Sequence, residues 1–203
     1  MILSEFIDAI INLMFFLLIP LLWWLFAERK KQSFFNWIGL KKPKIKNKKK
    51  FWLIFIIVIA LFTPISLILD TILPNTVQLA SQRFYGQGIR NIIPMLIFSF
   101  IKTGLSEEIF FRGFLGKNLS KKFGFTIGNL IQGTIFGLLH GANLYINFGA
   151  IISISVTIFT GTLGWFMGYI NEKESGGSIV PSWCLHGIAN TLSCLFDAFK
   201  LVR

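Results

Sequence analysis

The sequence predicts an all-α integral membrane protein: about six transmembrane helices in one bundle around an intramembrane polar cavity. Three observations carry this expectation. The composition is 54% hydrophobic and only 14% charged, with mean hydropathy +0.67, whereas soluble domains carry about 25% charged residues. A chain of 203 residues cannot hide that much apolar surface in one core, which excludes a soluble globular domain, a disordered chain and a disulfide scaffold. The apolar residues also fall into uncharged runs long enough to cross a hydrocarbon layer of about 30 Å. Finally, the few ionisable residues inside those runs recur at helical spacing, the pattern of a polar site enclosed by a bundle.

Taken in order, Ala9 to Ala27 holds no charged side chain, and Arg29, Lys30 and Lys31 follow it. A signal peptide has its basic region first, so this run reads as a span, and the positive-inside rule places the N-terminus outside. Ten of the 20 basic residues lie between Arg29 and Lys50. Segment 28–50 therefore reads as a solvated cytoplasmic loop facing anionic lipid headgroups. Phe51 to Leu69 is a second uncharged run, with Pro64 as a tolerated kink and Asp70 at its outer edge. Pro74 to Arg90 reads as an external loop. The third span opens near Asn91 and is closed on the cytoplasmic side by Lys117, Lys121 and Lys122. Phe123 to Asn171 contains no Asp, Glu, Lys or Arg, which leaves room for two spans with a turn near Asn143 to Asn147. Glu172 to Gly177 forms a short cytoplasmic loop, and the last span runs from Ser178 to Phe199, so that both termini lie outside. The single membrane domain divides into residues 1–90, two N-terminal helices with the basic loop, and residues 91–203, a helical core that holds the unusual polar residues.

The net charge of +11 comes without any nucleic-acid recognition motif, so no nucleic-acid partner is expected; the lipid bilayer is the expected partner of the protein, and the basic loop reads as a determinant of topology. Cys184 and Cys194 lie ten residues apart in one apolar run, roughly 15 Å along a helix. They cannot pair and lack metal-ligand spacing, and they read as buried free thiols.

A charged side chain at mid-membrane costs at least about 2.5–3.5 kcal/mol and usually marks function. The third span carries Glu107, Glu108 and Arg112. On a helix Glu108 and Arg112 are i,i+4 neighbours and can pair, while Glu107 points about 100° away and stays available. The two histidines, His140 and His186, both lie inside spans, and Asn190 follows His186 by four residues, on the same face. If the third and fourth spans form a hairpin turning at Ser120 to Gly124, Glu107 and His140 lie level, each about 25 Å from the turn. His186 reaches that level if the hairpin projects beyond the membrane, which places the site within the membrane but nearer the cytoplasm. Gly133, Gly137 and Gly141 on the fourth span, and Gly161, Gly164 and Gly168 on the fifth, are ridges that allow close helix approach.

This set suits water activation. A glutamate can take the proton as general base. Histidines can orient the water, or His140, His186 and Glu107 can hold a Zn²⁺ that lowers the water's pKa. The Asn190 amide can donate to a developing oxyanion. Together these describe hydrolysis of a carbonyl, most readily a peptide bond, although the H-E-x-x-H zinc motif is absent.

At these residues the sequence resembles a known family. Glu107-Glu108-Ile-Phe-Phe-Arg112 matches E-E-x-x-x-R, Phe136-Gly-Leu-Leu-His140 matches F-x-x-x-H, and His186-Gly-Ile-Ala-Asn190 matches H-x-x-x-N. These are the ordered signatures of the CAAX-processing and bacteriocin-processing intramembrane endopeptidases, the relatives of Ras-converting enzyme. The resemblance covers Pro94 to Leu195, roughly half the chain. It implies Glu107 as the base activating water, His140 and His186 positioning that water or a metal, Asn190 stabilising the oxyanion, and Glu108, Arg112 and Phe136 in support. It implies a membrane-associated peptide or protein as substrate, as in peptide maturation, bacteriocin processing or self-immunity. Zinc stays open, since both metal-dependent and metal-independent mechanisms are argued for the family. The Ile-, Phe- and Lys-rich composition points to an AT-rich bacterial source, hence a multi-pass protein of the plasma membrane. Three other readings compete. A non-catalytic immunity or scaffold protein would keep the fold without needing Glu107. A haem protein would use His140 and His186 as axial ligands and give Glu107, Glu108 and Asn190 no task. A proton-coupled transporter would require a solvated path to both faces.

Overall fold

A computed structural model describes residues 1–72 and 80–201. Part of the expected external loop, residues 73–79, and the side chains of Pro64 and Asp70 lie outside the described residues. Every regular element among the described residues is helical. The first rod is α1 (Ile2–Trp23), continued by a π-helical turn over Trp24–Glu28. A short α2 (Phe34–Ile38) and α3 (Lys48–Ile72) follow. Two 3₁₀ turns, Ala80–Phe84 and Gly88–Asn91, lead into the third rod. That rod is α4 (Ile92–Leu96), π-helical stretches Ile97–Leu105 and Glu108–Gly116, and α5 (Lys117–Phe123). Next come α6 (Phe125–Tyr169), a π turn over Ile170–Glu174, and α7 (Val180–Ala198).

Two of these rods, Ile2–Glu28 and Phe148–Glu174, are long and apolar enough to cross a membrane. The first is also inside-out relative to a soluble helix. What α1 buries is Glu5, Ala9 and Pro20, while Phe15 and Phe26 on the same rod are 73% and 88% exposed. Large apolar side chains facing outward, with a glutamate turned inward, are what a lipid environment selects.

The chain reverses at two glycines. Gly124 (φ 79°, ψ 159°) separates α5 from α6, at the end of the expected Ser120 to Gly124 turn. The register follows: the Phe111 and Phe136 rings lie 5.0 Å apart, Gly116 faces Gln132 and Gly128 abuts Ser120. The second reversal differs from expectation. Helical geometry persists through Asn143 to Asn147, and the break falls at Gly149 (φ 73°, ψ −176°). That backbone region is essentially restricted to glycine, which is why the asparagines do not supply the turn.

The two halves of α6 pack as closely as the glycine ridges predicted. A Cβ on Gly137 would strike the Thr157 carbonyl and come within 2.9 Å of the Gly161 backbone, and one on Gly133 would lie 2.9 Å from the Gly161 carbonyl. We expect Gly137→Val to destabilise the protein by about 1–3 kcal/mol through overpacking. Leu138→Val, on the adjacent position that is 53% exposed, should leave stability unchanged. Thermal unfolding in detergent measures both.

Contacts sort the connections to two ends of the bundle. Glu5 pairs with Arg83 at 3.0 Å, and the Gly86 N–H donates to the Asp197 carbonyl. The start of α1, the 80–91 segment and the end of α7 therefore share one end. At the other end Lys121 pairs with Glu28, Lys117 with Glu172 and Lys50 with Glu174. The basic segment lies there but is not simply a solvated loop. Trp37 and Ile38 of α2 are buried, packed with Ile109 and Ile179. Gly39 (φ 82°) ends α2 and its carbonyl accepts from the Ile179 N–H at 2.8 Å. The cysteines are free; Cys194 is buried, whereas Cys184 is only partly so.

Candidate active site

The third rod places the E-E-x-x-x-R segment where its winding changes. Two α-helical residues, Ser106 and Glu107, separate two π-helical stretches. In a π-helix the backbone bonds run i to i+5, and side-chain hydroxyls follow suit: Thr103 reaches the Phe98 carbonyl at 3.0 Å and Ser106 the Ile101 carbonyl at 3.2 Å. Such bulges concentrate at functional sites.

Glu108 is fully buried. Its Oε1 lies 3.0 Å from Arg112 Nη1 and 3.1 Å from His186 Nδ1. The Arg112 pair was expected from spacing; the His186 contact was not, because nothing in the sequence registers α7 against the third rod. Glu107 points to the other side, as its offset from Glu108 required. Its Oε2 is buried, accepts no hydrogen bond from the protein, and lies 3.8 Å from His186 Nε2. His186 thus bridges the two glutamates, one at each ring nitrogen.

Phe136 is the platform beneath this arrangement. The Arg112 guanidinium sits 4.1 Å from its ring centroid, the His140 ring 4.4 Å, and the His186 ring approaches at 6.3 Å with planes at 87°. Cation–π attraction of Arg112 to a desolvated ring reinforces the ion pair. His140 follows Phe136 by one helical turn, and its Nδ1 lies 2.9 Å from the Phe136 carbonyl. A carbonyl only accepts, so His140 carries its proton on Nδ1 in this contact. By the same rule the carboxylate of Glu108 takes the proton on His186 Nδ1. Both rings are left with Nε2 as the free nitrogen.

Asn190 lies one turn beyond His186 on α7, and its Nδ2 donates to Thr103 Oγ1 at 2.8 Å. Thr103 escaped the sequence reading. Its signal was a hydroxyl one turn before Glu107 inside an apolar rod, which is indistinguishable from ordinary back-bonding to the helix without the fold.

Glu107, His140, His186, Asn190 and Thr103 all border one cleft of about 280 Å³, whose other walls include Phe62, Phe98 and Phe159. All four residues expected to do chemistry therefore meet at one cleft, and Glu108, Arg112 and Phe136 stand behind them. The cleft runs from Glu107 toward Ala80, Ser81 and Ser193, in the direction of the end where α1 starts and α7 ends, not the basic end. Among the described residues no group of three His, Cys, Asp or Glu side chains is gathered closely enough to hold a metal ion. His140, His186 and Glu107 in this arrangement do not form a ready ligand set.

Comparison with known proteins follows the same residues. Searches of curated proteins and of solved structures return no match to this chain. The family model for type II CAAX prenyl endopeptidases, Rce1-like, matches residues 89–192. That span begins just before the third rod, ends just after Asn190, and includes every residue of the cleft's polar wall from Thr103 to Asn190. With just over half its length matched, the chain belongs to the Rce1-like family of type II CAAX prenyl endopeptidases.

Proposed function

We propose that this chain is an intramembrane endopeptidase that hydrolyses a peptide bond in a membrane-associated peptide or protein through water activated by Glu107. The observation that carries the reading is the Glu107 carboxylate: the residue borders the cleft, and its Oε2 is buried, without a donor from the protein, and 3.8 Å from His186 Nε2. A buried acceptor in need of a donor is what a bound water satisfies.

The steps follow from the donors and acceptors present. Water donates one hydrogen bond to Glu107 and another to the Nε2 of a histidine, which turns its lone pair toward the substrate carbonyl. Glu107 takes the proton as the oxygen–carbon bond forms. The carbonyl oxygen becomes an oxyanion and accepts from the Asn190 amide. Collapse breaks the carbon–nitrogen bond, and the proton held by Glu107 passes to the leaving amine. Glu108 stays charged throughout, held by Arg112, and fixes the His186 ring.

We propose further that six helical rods cross the bilayer around this cleft, in a bacterial plasma membrane. The charge rule places the basic end in the cytoplasm, with the Glu107–His186 pair between the two ends. Peptide maturation, bacteriocin processing and self-immunity are the substrate classes in view. A non-catalytic immunity or scaffold protein of the same fold is the rival, and it gives the unsatisfied Glu107 oxygen no task.

The test is purified protein in lipid vesicles, incubated with membrane peptides before and after exhaustive chelation. New peptide termini that survive chelation are expected from the residues present. Termini lost on chelation and restored by Zn²⁺ would instead place a metal on His140, His186 and Glu107. An absence of new termini in every condition would favour the non-catalytic rival.

A further inference from the structure

We infer that Thr103 is a positioning residue for Asn190: it fixes which way the Asn190 amide faces, so that an N–H rather than a carbonyl is presented to the cleft. This inference rests on the hydrolytic reading above, but its structural half can be tested without it.

A threonine hydroxyl has one proton to give and lone pairs that accept. The Thr103 proton is committed to the backbone, with the Phe98 carbonyl at 3.0 Å and the Ser99 carbonyl at 3.3 Å. Both are acceptors only. Toward Asn190 the hydroxyl can therefore act only as an acceptor, and the 2.8 Å contact must come from the amide nitrogen. An asparagine elsewhere chooses between its nearly isosteric oxygen and nitrogen according to its surroundings. At this position Thr103 removes the choice. One N–H of Asn190 is spent on Thr103, which leaves the other as the donor this amide can offer to the cleft that both residues border.

The winding of the third rod makes this possible. Thr103 sits in the π-helical stretch Ile97–Leu105, where its hydroxyl bonds five residues back to Phe98 as well as four back to Ser99. Phe98 itself borders the cleft, so the backbone that orients Thr103 also forms the cleft wall. A donor preset toward the oxyanion needs no reorganisation during reaction, and small losses of alignment at such a group are costly in rate.

The test uses the whole chain in detergent micelles with ¹⁵N-labelled asparagine, and the Asn190 side-chain NH₂ signal identified by its loss in Asn190→Ala. Thr103→Val keeps the shape and removes the acceptor; Thr103→Ser keeps the acceptor. We expect Thr103→Val to shift the Asn190 NH₂ signal and speed its exchange with solvent, and Thr103→Ser to retain both. In the hydrolysis assay Thr103→Val should lower kcat about tenfold with KM little changed, Thr103→Ser should restore it, and the loss should vanish in the Asn190→Ala background. An unmoved Asn190 signal in a folded Thr103→Val protein overturns the inference. So does a Thr103→Val loss of rate that persists with Asn190→Ala. If no variant or wild type hydrolyses peptides but the signal moves as expected, the positional link stands and the hydrolytic reading is what fails.

Discussion

Glu107→Gln is expected to lower peptide-bond hydrolysis by about 10²–10⁴-fold, the range for losing a positioned general base, while the protein accumulates in the membrane as before. The amide has the shape of the carboxylate but no basicity, so water can still bind without being deprotonated. Stability should hold because Glu107 is outside the ion-paired core. His186 Nε2 lies 3.8 Å from it, beyond hydrogen-bond distance, whereas Arg112 is paired with Glu108. Activity assay and thermal unfolding on the same preparation separate the two effects: a large fall in rate with an unchanged unfolding temperature is the expected pair.

Arg112→Leu should lower stability as well as activity. Arg112 is 3% exposed and Glu108 is fully buried, so removing the guanidinium strands a carboxylate in the bundle with only neutral donors, His186 and Ser182, beside it. Breaking a buried ion pair from one side costs about 3–5 kcal/mol. The guanidinium's contact with the Phe136 ring is lost as well. Arg112→Leu combined with Glu108→Gln removes the stranded charge and should recover most of the stability. Activity should remain low, because a glutamine does not hold the His186 ring as a carboxylate does. Denaturation in detergent reads the first effect and the hydrolysis assay the second.

How much of this was legible in the sequence depends on the range of the interaction. The Glu108–Arg112 pair, the separate direction of Glu107 and the shared face of His186 and Asn190 are all local to one helix, and helical periodicity is enough to state them. The Glu107–His140 level was also legible, because Gly124 fixes the hairpin register from within the chain. What could not be read is where α7 sits against the third rod, and with it the His186–Glu108 and Asn190–Thr103 contacts. The π-winding of Ile97–Leu105 and Glu108–Gly116 also leaves no pattern in the residues, since it is set by packing and by hydroxyls that reach further back. Two departures had signals that charge obscured. Ser33 to Gly39 has a helix start, an apolar face and a glycine stop, yet the lysines around it made the whole segment read as solvated. Gly149 lies two residues past Asn147, and as a glycine it suits the backbone angles required there where an asparagine does not.

The direction of the cleft is a feature the sequence does not carry. Level arguments along the third and fourth rods place Glu107 and His140 together but cannot say which way the space around them opens. The fold answers through elements that carry none of the motifs: Ala80, Ser81, Phe62 and Phe159 complete the wall. On the proposed reading a substrate in this cleft would meet Phe62, Ala80 and Ser81 as well as the matched core, so specificity would reside partly outside residues 89–192.

The central claim is that Glu107 makes this chain a hydrolase. It is tested most directly by comparing peptide termini in cells carrying the wild type with those carrying Glu107→Gln, at matched protein levels in the membrane. The account predicts termini or a matured peptide present only with the wild type, and those termini would name the substrate. Identical termini and an unchanged cellular phenotype would contradict it and leave a membrane protein that keeps this fold for a role without catalysis.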